Sequence, residues 1–72
     1  MQDKELFETV GLHIRVERTK KRITQAGLAD IIDVHEKYIG KIETGTLNIT
    51  LKTLNRIANA LNIDVYTLLI KN

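Results

Sequence analysis

The sequence predicts an all-α fold of five short helices. Apolar residues recur three and four positions apart along most of the chain, proline is absent, and no segment shows the strand-like alternation of apolar and polar residues. A chain of 72 residues buries only about 60% of its unfolded surface. Cysteine is also absent, so no disulfide can add stability. We therefore expect residues 1–72 to form one domain that depends on close helix packing or on oligomerisation.

The first predicted helix covers residues 4 to 21. Leu6, Val10 and Ile14 lie four positions apart and form its predicted inner face. Gly11 lies beside this face, and a glycine there allows another helix to approach closely. Ile23 follows at the turn and is expected to close that end of the core.

Residues 24 to 45 predict two more helices joined by a tight turn. Thr24 is a suitable N-cap, and Asp33 tolerates the left-handed backbone conformation better than most residues. The second helix of the pair is expected from His35 to Glu43, with Gly45 terminating it. The apolar positions at helical spacing are Leu28, Ala29, Ile32, Val34, Ile39 and Ile42. They are expected to fix the angle between the two helices.

Two further helices complete the prediction. Thr50 is the expected N-cap of the fourth helix. Its apolar face is expected to consist of Leu51, Leu54, Ile57, Ala58 and Leu61. Asn62 suits the turn that follows, and Asp64 caps a last short helix over about residues 64–70.

The helix pair in residues 24 to 45 predicts a DNA interface. A helix carried on a partner helix fits the DNA major groove, where base edges are accessible. Gln25 lies at the start of the first helix, where backbone N–H groups point outward and suit a phosphate. The exposed side of the second helix is predicted to carry Glu36, Lys37, Tyr38, Gly40 and Lys41.

Three pieces of the sequence resemble a known family. They are TQxxLA at 24–29, KYIGKIETG at 37–45 and LxTLNRIANALNI at 51–63. With these pieces at the family's spacing, the chain resembles the Cro/CI-type (XRE family) helix-turn-helix domains over roughly residues 10 to 70. The resemblance implies a compact, five-helix, lambda-repressor-like fold and a transcription regulator that binds double-stranded operator DNA.

The resemblance also implies roles for individual residues. Glu36, Lys37 and Lys41 occupy the positions from which the family contacts bases. His35 starts the same helix, corresponds to a residue that touches phosphate or a thymine methyl group, and is counted with the base-contacting set. The expected phosphate contacts are Thr24, Gln25, Tyr38, Thr44, Thr46 and Asn48.

Further family features concern stability. Arg18 and Glu43 occupy the places of an ion pair that fixes the recognition helix against the first helix, which we interpret as structural. Arg22 and Asp33 stand where the family usually has glycine. Gly27 replaces a common glutamate and weakens its helix by up to about 1 kcal/mol. None of these departures lies on the base-contacting side.

The last helix carries more apolar residues than one side of so short a helix can bury. Leu68 is expected to enter the core. The residues expected to form a surface patch for homodimerisation are Val65, Tyr66, Leu69 and Ile70. In the family the equivalent region commonly forms a two-fold contact, which implies a homodimer on a pseudo-palindromic operator. The alternative is that these side chains only close the bottom of the core.

Composition argues against an enzyme. Serine and cysteine are absent, and His13 and His35 lack the neighbours that a catalytic or metal site needs. We expect no metal, cofactor or small-molecule substrate. No signal peptide or membrane-spanning apolar run is apparent, and no separate effector domain fits this length, so a cytoplasmic protein is expected.

The net charge of +2 is too small to indicate nucleic-acid binding by itself. Basic residues are nevertheless concentrated at the end of the first helix, beside a single acid, Glu17. They are Arg15, Arg18, Lys20, Lys21 and Arg22. Lys20, Lys21 and Arg22 either contact an anionic partner or form a solvated helix end that complements the helix dipole.

The resemblance leaves the type of regulator open. The stretch KYIGKIETGTLNITLKTL at 37–54 is most similar to controller proteins of restriction–modification systems, for which RNA polymerase is a candidate partner. A Cro-like repressor of a phage or mobile element is the alternative within the same class. An antitoxin or a protein-interaction adaptor with this fold is the alternative from another class. A neighbouring methyltransferase or endonuclease gene would favour the controller, and a toxin gene the antitoxin.

Overall fold

The computed structural model describes residues 2–70, and within this range the chain forms helices and no strand. The helices are α1 (Asp3–Lys20), α2 (Gln25–Ile32), α3 (Glu36–Glu43), α4 (Leu51–Ala60) and α5 (Val65–Leu69). This confirms the predicted all-α fold of five helices. No helix in the described range is both long and apolar enough to cross a membrane.

The helices enclose one apolar core. α1 packs against α3 and α5, α4 packs against α2 and α5, and α2 packs against α3, so the contacts form a closed ring. Each helix contributes at least one fully buried large side chain, and Leu61 adds another just after α4. These side chains are Ile14, Leu28, Ile39, Leu54, Ile57, Leu61 and Leu68. The core therefore depends on all five helices at once.

Side-chain caps begin three of the helices at the predicted residues. The hydroxyls of Thr24 and Thr50 accept hydrogen bonds from backbone N–H groups three residues further on, at 2.9 and 3.1 Å. The carboxylate of Asp64 accepts from the N–H two residues on, at 3.1 Å. Each cap satisfies a donor that the helix itself leaves unpaired.

The first four helices end in the same hydrogen-bonded turn. In each of these turns a single residue, one or two positions after the end of the helix, adopts the left-handed conformation. These residues are Arg22, Asp33, Gly45 and Asn62, with φ between 56° and 77°. The N–H of the next residue donates to the carbonyl five positions earlier, at 2.9 to 3.1 Å. This is the Schellman arrangement, and it satisfies carbonyls that the helix leaves free. After α1, α2 and α4 that next residue is Ile23, Val34 or Ile63, each half-buried against the core.

Helices α1 and α3 approach each other closely at Gly11. A Cβ atom added to this buried glycine would lie 2.7 Å from the backbone oxygen of Glu43 and would clash with that of Ile42. Backbone atoms cannot move aside as a flexible side chain can. The absence of a side chain at Gly11 therefore sets the distance between α1 and the C-terminal end of α3.

The structure corrects several details of the sequence interpretation. α1 begins at Asp3 and ends at Lys20, and α3 begins at Glu36, so that His35 lies before the helix as its cap. Leu6 and Leu51, which were assigned to inner faces, are 39% and 75% exposed. Both lie at the first turns of their helices, where the core no longer covers them.

Gly11→Ala should destabilise the protein strongly. The new methyl group meets the α3 backbone, so the helices must separate, and overpacking of this kind costs about 1–3 kcal/mol or more. Gly40→Ala is the matched control, because a Cβ there would meet only the Gln25 Oε1 atom, at 3.7 Å. It should gain up to about 1 kcal/mol from helix propensity. Urea denaturation of both variants measures the two effects, and equal changes would refute the packing argument.

Candidate nucleic-acid interface

α3 has one buried face and one solvent-exposed face. Ile39 and Ile42 are 0% and 2% exposed and anchor the helix in the core. Glu36, Lys37 and Lys41 are all exposed on the other side. The helix thus presents to solvent the three side chains that, by the family resemblance, are expected to contact bases.

His35 caps α3 with its side chain. Its Nδ1 atom accepts a hydrogen bond from the backbone N–H of Lys37 at 3.2 Å. Because Nδ1 is the acceptor, the neutral ring carries its proton on Nε2 and can donate it to an external group. Glu36 is the first residue of the helix, where a carboxylate interacts favourably with the positive end of the helix dipole.

A shallow groove runs along the exposed side of α3 and onto the start of α2. It is lined by Gln25, His35, Glu36, Lys37, Gly40, Lys41 and Thr44. A second depression shares His35, Lys37 and Lys41 with it and continues to Tyr38 and Leu47. The two depressions therefore form one continuous surface, which we call the α3 groove.

The α3 groove carries two lysines one helical turn apart. Lys37 and Lys41 are both exposed, and within residues 2–70 neither lies within ion-pair distance of a carboxylate. Like charges at this spacing repel weakly, by about 0.2–0.5 kcal/mol. An anion or an electronegative base edge in the groove would relieve this repulsion, so the arrangement favours a negatively charged ligand.

Below the groove, Arg18 and Glu43 form an ion pair. Arg18 Nε donates to Glu43 Oε2 at 2.6 Å, and Arg18 Nη2 donates to Oε1 at 3.0 Å. The two side chains are 12% and 3% exposed. Arg18 Nη1 also donates to the carbonyl of Ile23 at 2.8 Å, which ties the turn between α1 and α2 to the same pair.

The ion pair also orients Gln25. Its Nε2 atom donates to Glu43 Oε1 at 3.0 Å. An amide nitrogen has two N–H groups, so one remains for a ligand at the mouth of the groove. Glu43 thus connects α1 and α2 with α3, to which it belongs.

Glu43 raises the pKa of Arg18 above its ordinary value. The hydrogen bond to Glu43 is the largest cause, its negative charge adds to the effect, and burial opposes it. A basic group with a raised pKa contributes stability that is fully present below its unfolded pKa and is lost only as pH rises through its folded pKa. The contribution of Arg18 is therefore constant throughout the neutral range.

The other residues that are predicted to contact phosphate differ in their exposure to solvent. Thr24, Thr44, Thr46 and Asn48 are exposed, and Tyr38 is half-buried against the core. The hydroxyls of Thr44 and Thr46 each donate to the Lys41 carbonyl at 3.1 Å. A hydroxyl has only one proton to donate, so a phosphate contact by either threonine requires that capping bond to be exchanged.

Most of the chain resembles known helix-turn-helix proteins. A model of the Helix-turn-helix family HTH_3 matches residues 14–68. The chain belongs to this family. The matched residues include α2 and α3, which we call the helix-turn-helix unit.

Two relatives and one solved structure are similar to this chain over most of its length. Control protein C.SmaI of Serratia marcescens is 37% identical over 65 residues, which cover 90% of this chain and 77% of that protein. The immunity repressor protein of Bacillus phage phi105 is 37% identical over 57 residues, covering 79% of this chain and 40% of the repressor. The crystal structure of the restriction-modification controller protein C.AhdI from Aeromonas hydrophila has a TM-score of 0.83 and 31% identity, covering 86% of this chain and 94% of that one.

Two contacts between helices had no signal in the sequence. His13 Nδ1 lies 2.9 Å from the carbonyl oxygen of Leu68 and joins α1 to α5. The Arg56 side chain donates to the carbonyl of Ile32 and so caps α2 from α4. Both join residues far apart in sequence, and no local pattern identifies such pairs. Within residues 2–70, no group of three or more potential metal ligands comes together.

Glu43→Gln should destabilise the helix-turn-helix unit by about 3–5 kcal/mol, because it leaves the nearly buried charge of Arg18 without its partner. Glu17→Gln is the matched control, since the ion-pair partner of Glu17, the Lys20 amine at 3.3 Å, belongs to a side chain that is 67% exposed. It should change the unfolding free energy by less than about 0.5 kcal/mol. Thermal and denaturant unfolding at neutral pH distinguish the two variants. Similar losses in both would rule out a structural role specific to Glu43.

Proposed function

We propose that this protein is a sequence-specific DNA-binding transcription regulator, and that it controls a restriction–modification system. The observation that carries the proposal is the α3 groove, in which the exposed side of α3 presents two lysines without an ion-pair partner within residues 2–70, next to the Arg18–Glu43 ion pair. The likeness to C.SmaI and to the structure of C.AhdI supports the specific controller role. We propose that the chain works in the cytoplasm on double-stranded operator DNA and has no catalytic role.

In this proposal α3 enters the major groove. A helix with its side chains is about 10–12 Å across, which matches a major groove about 12 Å wide. Lys37 and Lys41 are separated by about 6 Å along the helix and can donate to the O6 and N7 acceptors of guanine. Glu36 can accept from a cytosine amino group, and it repels the helix from sites that lack such a donor. His35 adds the Nε2–H donor beside them.

Phosphate contacts would flank this helix on both sides. The free N–H of Gln25 and the Thr24 hydroxyl lie at the N-terminus of α2, where the helix dipole favours an anion. Thr44, Thr46 and Asn48 lie beyond the C-terminal end of α3, and Tyr38 lies along it. Such contacts fix the position of the protein on DNA but do not distinguish sequences.

We further propose that the regulator binds as a homodimer through an apolar surface around α5. Tyr66, Leu69 and Ile70 are 66%, 42% and 57% exposed, whereas Val65 is half-buried against the core. Leu69 also shares a small depression with the exposed Leu6 and Leu51. The α5 patch therefore consists of Leu6, Leu51, Tyr66, Leu69 and Ile70, with Val65 at its edge. A two-fold contact here would present two copies of α3 to one operator.

A second candidate function is that of a phage-type repressor. It is favoured by the identity with the phi105 immunity repressor, although the chain spans only about two-fifths of that protein's length. Both functions require the same DNA interface and differ in the genes controlled. Selecting bound fragments from the host genome at a stated salt concentration, followed by footprinting, distinguishes them. An operator next to methyltransferase or endonuclease genes supports the controller, and RNA polymerase is then a candidate partner. Operators confined to phage genes support the repressor. Failure to select any specific operator would refute both functions.

Lys41→Ala should weaken binding to the selected operator by about 1–3 kcal/mol and relax specificity at one base position. The reason is loss of a base contact in the major groove. Competition binding against operators substituted at each position measures both effects.

A control variant tests whether the loss is specific to Lys41. Lys4→Ala is the charge-matched control, because Lys4 is exposed on the first turn of α1 and does not line the α3 groove. It should leave the base preference unchanged. An equal loss on every sequence for Lys41→Ala would make Lys41 a phosphate contact.

Leu51→Glu should weaken self-association at least about 10-fold, because burying an unpaired carboxylate in an apolar contact costs more than the 1.4 kcal/mol that a factor of ten represents. Folding should persist, since Leu51 is 75% exposed. Sedimentation equilibrium measures the change.

Ile31→Glu is the matched control for the α5 patch. Ile31 is also an exposed apolar residue, at 56%, but it lies on α2, away from the patch. The variant should self-associate like the natural chain. If Ile31→Glu dissociates the protein and Leu51→Glu does not, the proposed dimer surface is wrong.

A further inference from the structure

α1 exposes a second apolar stripe that belongs neither to the α3 groove nor to the α5 patch. Leu12 and Val16 are 55% and 42% exposed and lie one helical turn apart. With Arg15, Thr19 and Lys20 they line a shallow depression on the outer side of the helix. The inner side of α1, which includes Gly11 and Ile14, is buried. No residue in the part of the chain that the structure describes covers the outer stripe.

Charges on this outer side are separated along the helix axis. Glu5 and Glu8 are exposed on the N-terminal side of Leu12, and Arg15 and Lys20 are exposed on its C-terminal side. Helical geometry places Glu5 in line with the stripe and places Glu8 and Arg15, seven residues apart, along the same edge of it. Lys20 has an additional contact with Glu17 at 3.3 Å, which is exposed and weak. Lys4 is also exposed, near the N-terminal end of the Glu8 edge. Apart from Lys4, the outer side is acidic towards the N-terminus and basic towards the C-terminus.

We propose that this outer face of α1 binds a second copy of the same chain, with the two helices antiparallel and Leu12 at the two-fold axis. The occupant follows from charge complementarity. In the antiparallel arrangement, residues equally far before and after Leu12 lie opposite each other. The acidic half of one helix then faces the basic half of the other, whereas a parallel arrangement brings like charges together.

The geometry pairs specific residues. A two-fold axis perpendicular to the helices keeps side chains of the same edge together, so Glu8 lies beside Arg15 of the second copy. Glu5 lies within about one residue rise of Lys20 of that copy, or about 1.5 Å along the axis. Each pair occurs twice by symmetry, and Leu12 and Val16 of both copies pack between them. The face thus complements itself, as a two-fold contact requires.

The α1 contact is distinct from the proposed α5 dimer. His13, which contacts Leu68 of α5, lies on a different side of α1 from Leu12 and Arg15. A chain with two separate self-complementary surfaces assembles beyond the dimer, into a closed tetramer or an open array. This larger assembly rests on the proposed α5 dimer, but the α1 contact itself does not. Few apolar side chains take part, so the α1 contact should be weak and depend on both protein and salt concentration.

Two charge reversals test the α1 contact directly. Glu8→Arg makes positions 8 and 15 both basic, and Arg15→Glu makes them both acidic. Each variant should therefore fail to self-associate through α1, whereas an equimolar mixture of the two should associate. The double variant Glu8→Arg/Arg15→Glu should associate like the natural chain. All are made in the Leu51→Glu background and measured without DNA by fluorescence anisotropy of one labelled variant, with sedimentation equilibrium for the mass.

Comparing each variant alone with the mixture of the two excludes association through surfaces other than α1. The α5 patch is identical in every variant, so only the α1 face differs between a variant titrated with itself and the same variant titrated with its opposite. Circular dichroism checks that each variant is folded. A mixture that associates no more than either variant alone would overturn the proposal. Because no DNA is present, that result would leave the proposed DNA-binding function unaffected.

Discussion

The buried carboxylate of Glu43 is the interaction on which the arrangement of the helices depends. It accepts three hydrogen bonds, two from the Arg18 guanidinium and one from the Gln25 amide. Arg18 in turn holds the carbonyl of Ile23. One anionic side chain at the end of α3 thereby fixes α1, the turn after it and the start of α2. Burying a carboxylate is costly unless each oxygen is satisfied, and here both oxygens are hydrogen-bonded.

Much of this fold follows from local sequence patterns. The order of five helices and the caps at Thr24, Thr50 and Asp64 could be predicted because each depends on residues within one or two turns. Burial at helix ends could not be predicted in the same way. Leu6 and Leu51 continue the apolar periodicity of their helices, yet they lie beyond the reach of the core. Periodicity identifies the face of a helix but not where the neighbouring helix stops.

Some features of the candidate site could likewise be predicted from the sequence, and others could not. The exposure of Glu36, Lys37 and Lys41 follows from helical spacing once Ile39 and Ile42 are placed inside. His35 was assigned to the helix, because a histidine cap has no strong sequence signal to distinguish it from a first helical residue. The contact between Arg56 and Ile32 joins residues 24 positions apart, so only the three-dimensional structure brings it to light. The roles of the groove residues toward DNA remain predictions.

The close packing at Gly11 has a consequence for how the protein would adapt to DNA. The α1 helix lies against the backbone of Ile42 and Glu43, so α3 has no room to shift toward α1 as a rigid rod. Adjustment to an imperfect binding site is then left to the long side chains of Lys37 and Lys41 and to the double helix itself. DNA sequences differ in how easily they bend or change groove width. If α3 contacts DNA as proposed, a helix held this firmly would favour flexible operators, including at base pairs that it never touches.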